Sequence, residues 1–267
     1  MEGDKSFVFE NLAAKIALYI FLYKGKAMRI LFCLWILMSL VCAGELKILA
    51  AANLKMVLEE IKQEFLKDYL GEQIEITYLS SGKAYAQIKN GLEVDLFFSA
   101  DMQKPEKLAQ EGFALLDSQV YALGKLVLCT ATHLNISTNS SLTSPKVKHI
   151  AIANPKLAPY GEAAEAFLKK INLYDKLKDK LVVGDSIGQA LNFVKTQNAE
   201  LGLSALSLVI FDKTMTYRIL DKNLYPPIEQ AFIILKKTKN EKLARAFARF
   251  VMSETGRKIF ERFGYDR

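Results

Sequence analysis

The sequence predicts an α/β fold built as two lobes with a ligand cleft between them. Three observations carry that reading. Apolar runs of strand length alternate with stripes of helical period, which is the pattern of largely parallel sheets covered by helices. The alternation runs through one unit and then repeats. Late in the chain Pro226-Pro227 interrupts it, and one more strand and a helical tail follow, so the chain crosses between units a second time.

Leu46 to Ala51 reads as the first strand, followed by a helix whose Leu54, Val57, Leu58, Ile61 and Phe65 share one face. Ile74, Ile76 and Tyr78 alternate as a second strand. Ala84 to Lys89 is helical, Asp95 to Ser99 is a short buried strand, and a helix from Lys104 to Glu111 closes the first unit. The second unit begins near Leu123. Leu126 to Thr130 and Ile150 to Ala153 read as buried strands separated by a Ser/Thr/Asn-rich loop from Asn135 to Ser144. Ala164, Phe167, Leu168 and Ile171 form a helical stripe, Leu181 to Val183 a strand, and Ile187, Ala190, Leu191 and Val194 another stripe. Leu201 to Leu206 and Arg218 to Leu220 follow as strands. After the proline pair, Ala231 to Leu235 is a strand and Lys242 to Phe263 is helical.

Met28 to Ala43 has the layout of a secretory signal peptide: Lys24, Lys26 and Arg29 at the start, apolar residues from Ile30 to Val41, and small residues at Val41-Cys42-Ala43. Cleavage is expected after Ala43. A membrane-spanning helix wants about 20 apolar residues, and this run is shorter. Residues 1–27 read as a non-structural extension from a start placed upstream of Met28, and a lipid anchor on Cys42 is disfavoured by Ser39-Leu40-Val41 before it.

Export restricts the chemistry. Beyond the leader only Cys129 remains, inside the apolar run Leu126 to Cys129, which is a packing position that no disulfide can use. His133 and His149 have no carboxylate or thiol at ligand spacing, so neither a metal-cation site nor a Ser-His-Asp arrangement is expected. The net charge is +7, of which residues 1–43 contribute five basic and three acidic side chains. A mild positive field favours an anionic ligand. The basic residues are dispersed along helices, which argues against nucleic acid.

The polar residues that could hold an anion lie where strands end and helices begin, because the first amides of a helix are unpaired and point outward. There are four such turns: Ala50-Ala51-Ala52-Asn53, with Asn53 placed as an N-cap; Ser80-Ser81-Gly82-Lys83; Asn154-Pro155 through Ala158-Pro159-Tyr160-Gly161; and Gly184-Asp185-Ser186-Ile187. Each alone is ordinary helix capping. Two from each unit, facing one cleft, could surround a small anion with amide donors.

Leu49 to Leu54, Ser80-Ser81-Gly82-Lys83, Asp95-Leu96-Phe97-Phe98-Ser99-Ala100-Asp101, Asn154 to Gly161 and Leu201 to Ser207, in that order from about Glu45 to Tyr265, resemble the molybdate-binding periplasmic proteins of ABC transporters. The resemblance implies a type II periplasmic-binding-protein fold with one lobe of residues 44–121 plus 229–267 and another of 122–228. It implies a monomer in the periplasm that takes molybdate or tungstate and passes it to a membrane permease, with no enzymatic step and no cofactor. Molybdenum would be held as its oxyanion: Asn53 and Ser81 by side-chain and backbone donors, Tyr160 and Ile187 by backbone amides, and Ala52 through its own N–H. Hydrogen bonds to a charged acceptor are roughly twice as strong as neutral ones.

Two departures from the family pattern bear on that site. Asn53 stands where some members have Ser, and Ala205 where some have a Tyr hydroxyl. Asp95 and Asp101 read as a strand-edge group and a cap, Lys83 as a solvated lysine, and Tyr85, Phe97 and Phe98 as core. A receptor for sulfate, phosphate or an organic acid is the alternative, although none of the four turns carries the arginine that a carboxylate receptor would use. A secreted hydrolase is the competing enzymatic reading.

Overall fold

The computed structural model of the chain describes residues 45–266. The expected leader at Met28 to Ala43, the extension 1–27, and Cys33 and Cys42 lie outside the described residues. Two five-stranded sheets organise the chain, and both have one plan. The first runs β2(Gln73–Leu79), β1(Glu45–Ala51), β3(Leu96–Phe98), β10(Ile228–Ile234), β4(Gln119–Gly124). The second runs β7(Leu181–Gly184), β6(Ile150–Ala153), β8(Leu201–Ala205), β5(Leu126–Thr130), β9(Thr216–Ile219). In each sheet one strand, β1 or β6, pairs in parallel with a neighbour on either side. In each, one strand contributed across the chain crossing, β10 or β5, is antiparallel to both its partners. This is the two-lobed type II arrangement.

The central strands are mostly apolar where helices cover them. Leu46, Ile48, Leu49 and Ala50 of β1, and all of β5, β6 and β8, are buried, including the polar Thr130 and Ser204. The helix α1(Lys55–Phe65) turns Val57, Leu58, Ile61 and Phe65 inward, each fully buried, and at about 1.5–3 kcal/mol per large apolar side chain this stripe outweighs its modest propensity. Around it stand α2(Ser81–Lys89), α3(Gln103–Gln110), α4(Pro159–Lys170), the single turn α5(Tyr174–Leu177), α6(Ile187–Lys195), α7(Glu241–Met252) and α8(Glu254–Arg262).

Four details differ from the sequence reading. The edge strand β4 was not expected, and the first unit ends with it rather than with α3. The strand β10 starts directly after the proline pair, at Ile228. The helical tail is two helices, broken at Ser253, whose hydroxyl accepts the N–H of Gly256 at 3.2 Å and so starts α8. Asn53 is not an N-cap. It sits inside a 3-10 turn, Ala52–Leu54, and its side chain caps no helix because it is drawn into a buried polar cluster.

The remaining assignments have visible causes. Asp95 is buried and accepts the N–H of Lys47 at 2.7 Å and the Thr238 hydroxyl at 2.5 Å, and Asp101 accepts the N–H of Lys104 at 2.8 Å at the start of α3. Phe97 and Phe98 are core, whereas Tyr85 is half-buried with its hydroxyl against Glu111. Cys129 is buried, and loss of hydration pushes its thiol up to about 12, where it is inert. No three His, Cys, Asp or Glu side chains among the described residues are placed to hold a metal ion.

Candidate functional site

The ends of β1, β2, β6 and β7 all open on one small pocket. Each sheet contributes the carboxyl ends of two adjacent parallel strands, the position where open α/β sheets bind ligands. The pocket has a volume of about 10 Å³ and is lined by Ala51, Ala52, Asn53, Leu79, Ser80, Ser81, Ala100, Ala158, Pro159, Tyr160 and Ile187. That volume is about what one water occupies, so the lining residues, not the size of the pocket, mark it as a site. All five residues singled out from the sequence, Ala52, Asn53, Ser81, Tyr160 and Ile187, are therefore brought together.

Three helices begin at the wall. Ser81 is the first residue of α2, Tyr160 the second of α4 behind Pro159, and Ile187 the first of α6. Amides at these positions have no carbonyl one turn back to bond, and the aligned peptides add partial positive charge there. The first turn of α4 lies hard against the end of β6: a Cβ on Gly161 would come within 2.3 Å of the Ala153 carbonyl oxygen. Only glycine permits that approach. At α6 the Ser186 hydroxyl accepts the N–H of Gln189 at 3.3 Å, and the Gln189 side chain accepts that of Asp185 at 2.6 Å. Those bonds take up the N–H groups of Asp185 and Gln189, and neither uses the N–H of Ile187.

No ionisable side chain other than the buried Tyr160 phenol lines the pocket. Lys83 and Asp185, each two residues along the chain from a wall residue, Ser81 and Ile187 respectively, pair at 2.6 Å between the first turn of α2 and the turn before α6. Lys83 is therefore half-exposed and tied to the opposite lobe, where the sequence suggested only solvent. An exposed pair of this kind contributes about 0–1 kcal/mol.

The side chains at the wall are oriented unequally. Ser81 Oγ accepts the N–H of Ala100 at 3.0 Å, which fixes the hydroxyl and leaves its proton to donate. Tyr160 is buried with its hydroxyl turned away, accepting from Gln230 Nε2 at 3.3 Å. The carboxamide of Asn53 also turns away: Nδ2 donates to Gln230 Oε1 at 2.8 Å and to the Tyr265 hydroxyl at 2.9 Å. Both its amide protons are thereby committed, so the side-chain donor expected of Asn53 is spent on this cluster in the structure. Asn53 Oδ1 and Ser80 Oγ are buried without a hydrogen-bond partner among the described residues.

Behind the pocket the cluster continues and joins the lobes. Tyr121 donates to the Ser99 carbonyl at 2.8 Å and contacts Gln230 Oε1 at 3.1 Å, while Ser207 donates to the Asn53 carbonyl at 2.9 Å. Burial raises the phenols of Tyr121, Tyr160 and Tyr265, so all three stay neutral donors and acceptors. Sequence reasoning missed Gln230, Tyr265, Tyr121 and Ser207. One signal was available: Gln230 is a lone uncharged polar residue inside the apolar run Ile228–Ile234.

The comparisons with known proteins agree with this geometry. The sequence profile of the family described as bacterial extracellular solute-binding protein matches residues 46–266. The molybdate-binding protein ModA of Azotobacter vinelandii is 38% identical over 228 residues, 84% of this chain and 90% of the relative. That of Rhodobacter capsulatus is 35% identical over 224 residues, 84% of this chain and 88% of the relative. Among solved structures, the Azotobacter vinelandii periplasmic molybdate-binding protein superposes with a TM-score of 0.79 at 36% identity, covering 83% of this chain and 99% of that one. Two sheets of one plan around a pocket of helix N-termini, with a profile match over nearly all described residues, place the chain in the bacterial extracellular solute-binding protein family.

Proposed function

We propose that this chain captures molybdate, and tungstate by the same chemistry, outside the cytoplasmic membrane and delivers it to an ABC importer. The observation that carries the reading is the pocket itself: five expected residues from four strand ends, three of them in the first turns of helices, with no charged side chain on the wall. A dianion stripped of water needs donors more than a counter-charge, since a fixed cation would pair with any anion while aimed amides select shape. The named relatives that bind molybdate support the choice of ligand.

In this reading Ser81 donates through hydroxyl and backbone, Tyr160, Ile187 and Ala52 through backbone N–H, and Asn53 through its backbone while its carboxamide braces the wall. The lobes, residues 44–121 plus 229–267 and residues 122–228, close over the ion with no bond made or broken, so the protein is a receptor and not an enzyme. Residues 28–43 direct export to the periplasm, where the monomer meets the permease. Sulfate, the smaller tetrahedron, would leave fixed donors unmade at a cost of about 1–3 kcal/mol each.

Calorimetric titration with molybdate, tungstate, sulfate and phosphate tests this. One-to-one binding of the first two, at least tenfold tighter than the others, is expected. Preference for sulfate or phosphate would replace the ligand, and loss of any oxyanion binding would discard the reading.

A further inference from the structure

Ser80 and Ser186 hold equivalent places, each immediately before a helix, and the structure uses them differently. Ser186 caps α6 through the N–H of Gln189. Ser80 has the extended backbone of an N-cap, φ −70° and ψ 147°, yet its hydroxyl caps nothing. The residue is 3% exposed, lines the pocket, and its Oγ has no hydrogen-bond partner among the described residues. An N-cap hydroxyl normally accepts from the second or third amide of its helix. Here the second amide, that of Gly82, donates instead to the carbonyl of Leu157 in the opposite lobe at 2.8 Å. Glycine is what allows the contact, because a Cβ at position 82 would stand 2.9 Å from that same oxygen. One backbone bond between the lobes therefore takes the nearer of the two cap donors from Ser80 at the pocket wall, and the other, the N–H of Lys83, makes no bond to the hydroxyl either.

We propose that Ser80 is a further ligand-binding residue acting by exchange. With the lobes apart, Ser80 Oγ accepts the N–H of Gly82 and caps α2. When the lobes meet, Leu157 takes that N–H, and the Ser80 hydroxyl is released to donate to the bound tetrahedral oxyanion. Closure and ligand contact are then coupled, since the bond that joins the lobes frees the donor. This deepens the anion-binding reading and rests on it. It also supplies a side-chain hydroxyl at a site where Ala205 and the turned-away carboxamide of Asn53 offer none.

The test titrates the wild-type protein, Ser80→Ala, Ser80→Thr and Gly82→Ala with molybdate, alongside thermal unfolding of each protein without ligand. Ser80→Ala should bind roughly 10- to 100-fold more weakly, the loss expected for one hydrogen bond to a charged acceptor. Ser80→Thr, which keeps the hydroxyl, should recover to within about threefold of wild type. Ser80→Ala should also unfold at lower temperature without ligand, as loss of a cap requires, and Gly82→Ala should weaken binding by obstructing Leu157. Ser80→Ala binding as tightly as wild type would overturn the assignment, as would Ser80→Thr binding as weakly as Ser80→Ala. Normal binding by Gly82→Ala would overturn the exchange. If wild type takes no oxyanion, the functional reading falls and carries this with it; wild-type binding with unimpaired Ser80→Ala removes this inference alone.

Discussion

The two lobes approach the pocket with one backbone device and with different side chains. In the lobe of β1 to β4 and β10 the wall residues Ser80 and Ser81 are small and carry hydroxyls, and Ser81 is held by Ala100 so that its proton is free. In the lobe of β5 to β9 the wall residues are Ala158, Pro159 and Ile187, whose side chains have no polar atom, and Tyr160, whose hydroxyl points back to Gln230. Helices start at the pocket wall in both lobes, and in the proposed site only the first lobe adds side-chain donors. The first lobe should therefore be sensitive to residue identity at its turns, and the second should tolerate any side chain that leaves its helix starts in place.

Ser81→Ala is the strongest test of that asymmetry. It deletes the proposed ligand donor and also strands the buried N–H of Ala100, which donates to Ser81 Oγ in the structure. An unpaired buried donor costs about 1–3 kcal/mol in stability, and the lost charge-assisted bond should weaken molybdate binding roughly 10- to 100-fold. Chemical denaturation and calorimetry read the two effects separately. An affinity within about threefold of wild type would show that the first lobe also works through its backbone alone.

Tyr160→Phe in the other lobe should produce the opposite pattern. The phenol hydroxyl accepts from Gln230 Nε2 at 3.3 Å, a long bond, so its removal should cost about 1 kcal/mol of stability. The backbone N–H remains, and affinity should stay within about threefold. A large loss of affinity with little loss of stability would place the hydroxyl in ligand recognition and erase the distinction between the lobes.

That distinction was half legible in the sequence. The four turns stood out because small or polar residues between an apolar strand and a helical stripe leave few other conformations, and the five residues that the family resemblance picked out in them all line one pocket. That the Ser80 hydroxyl would cap nothing was not legible, because it depends on Gly82 finding Leu157 in the other lobe. Nor was the commitment of Asn53, whose partners Gln230 and Tyr265 lie 177 and 212 residues away. The strand β4 escaped for a local reason. As an edge strand it leaves Val120 43% exposed and buries the consecutive Tyr121 and Ala122, and its register against β10 shifts at Gln230/Ala231. Strict alternation therefore never appears in it.

The smallest expected effect is that of pH on affinity, and it tests both lobes at once. Neither lobe puts a carboxylate, histidine, lysine or arginine on the wall. The phenols at and behind the wall, Tyr121, Tyr160 and Tyr265, are raised above their ordinary range, first by burial and for Tyr121 and Tyr160 next by the proximity of Tyr265. A raised acid keeps its proton, so these groups remain neutral from about pH 6 to pH 9. For an oxyanion of constant charge over that window, affinity should be flat. Stability follows a different course at its upper edge. Above about pH 10 the unfolded chain releases phenolic protons that the folded chain retains, so the unfolded state binds fewer protons and stability falls as pH rises. Calorimetry across the window and unfolding above it would check both limbs. A slope in affinity between pH 6 and pH 9 would mean that an ionisable group touches the ligand, and the likeness between the two walls would fail.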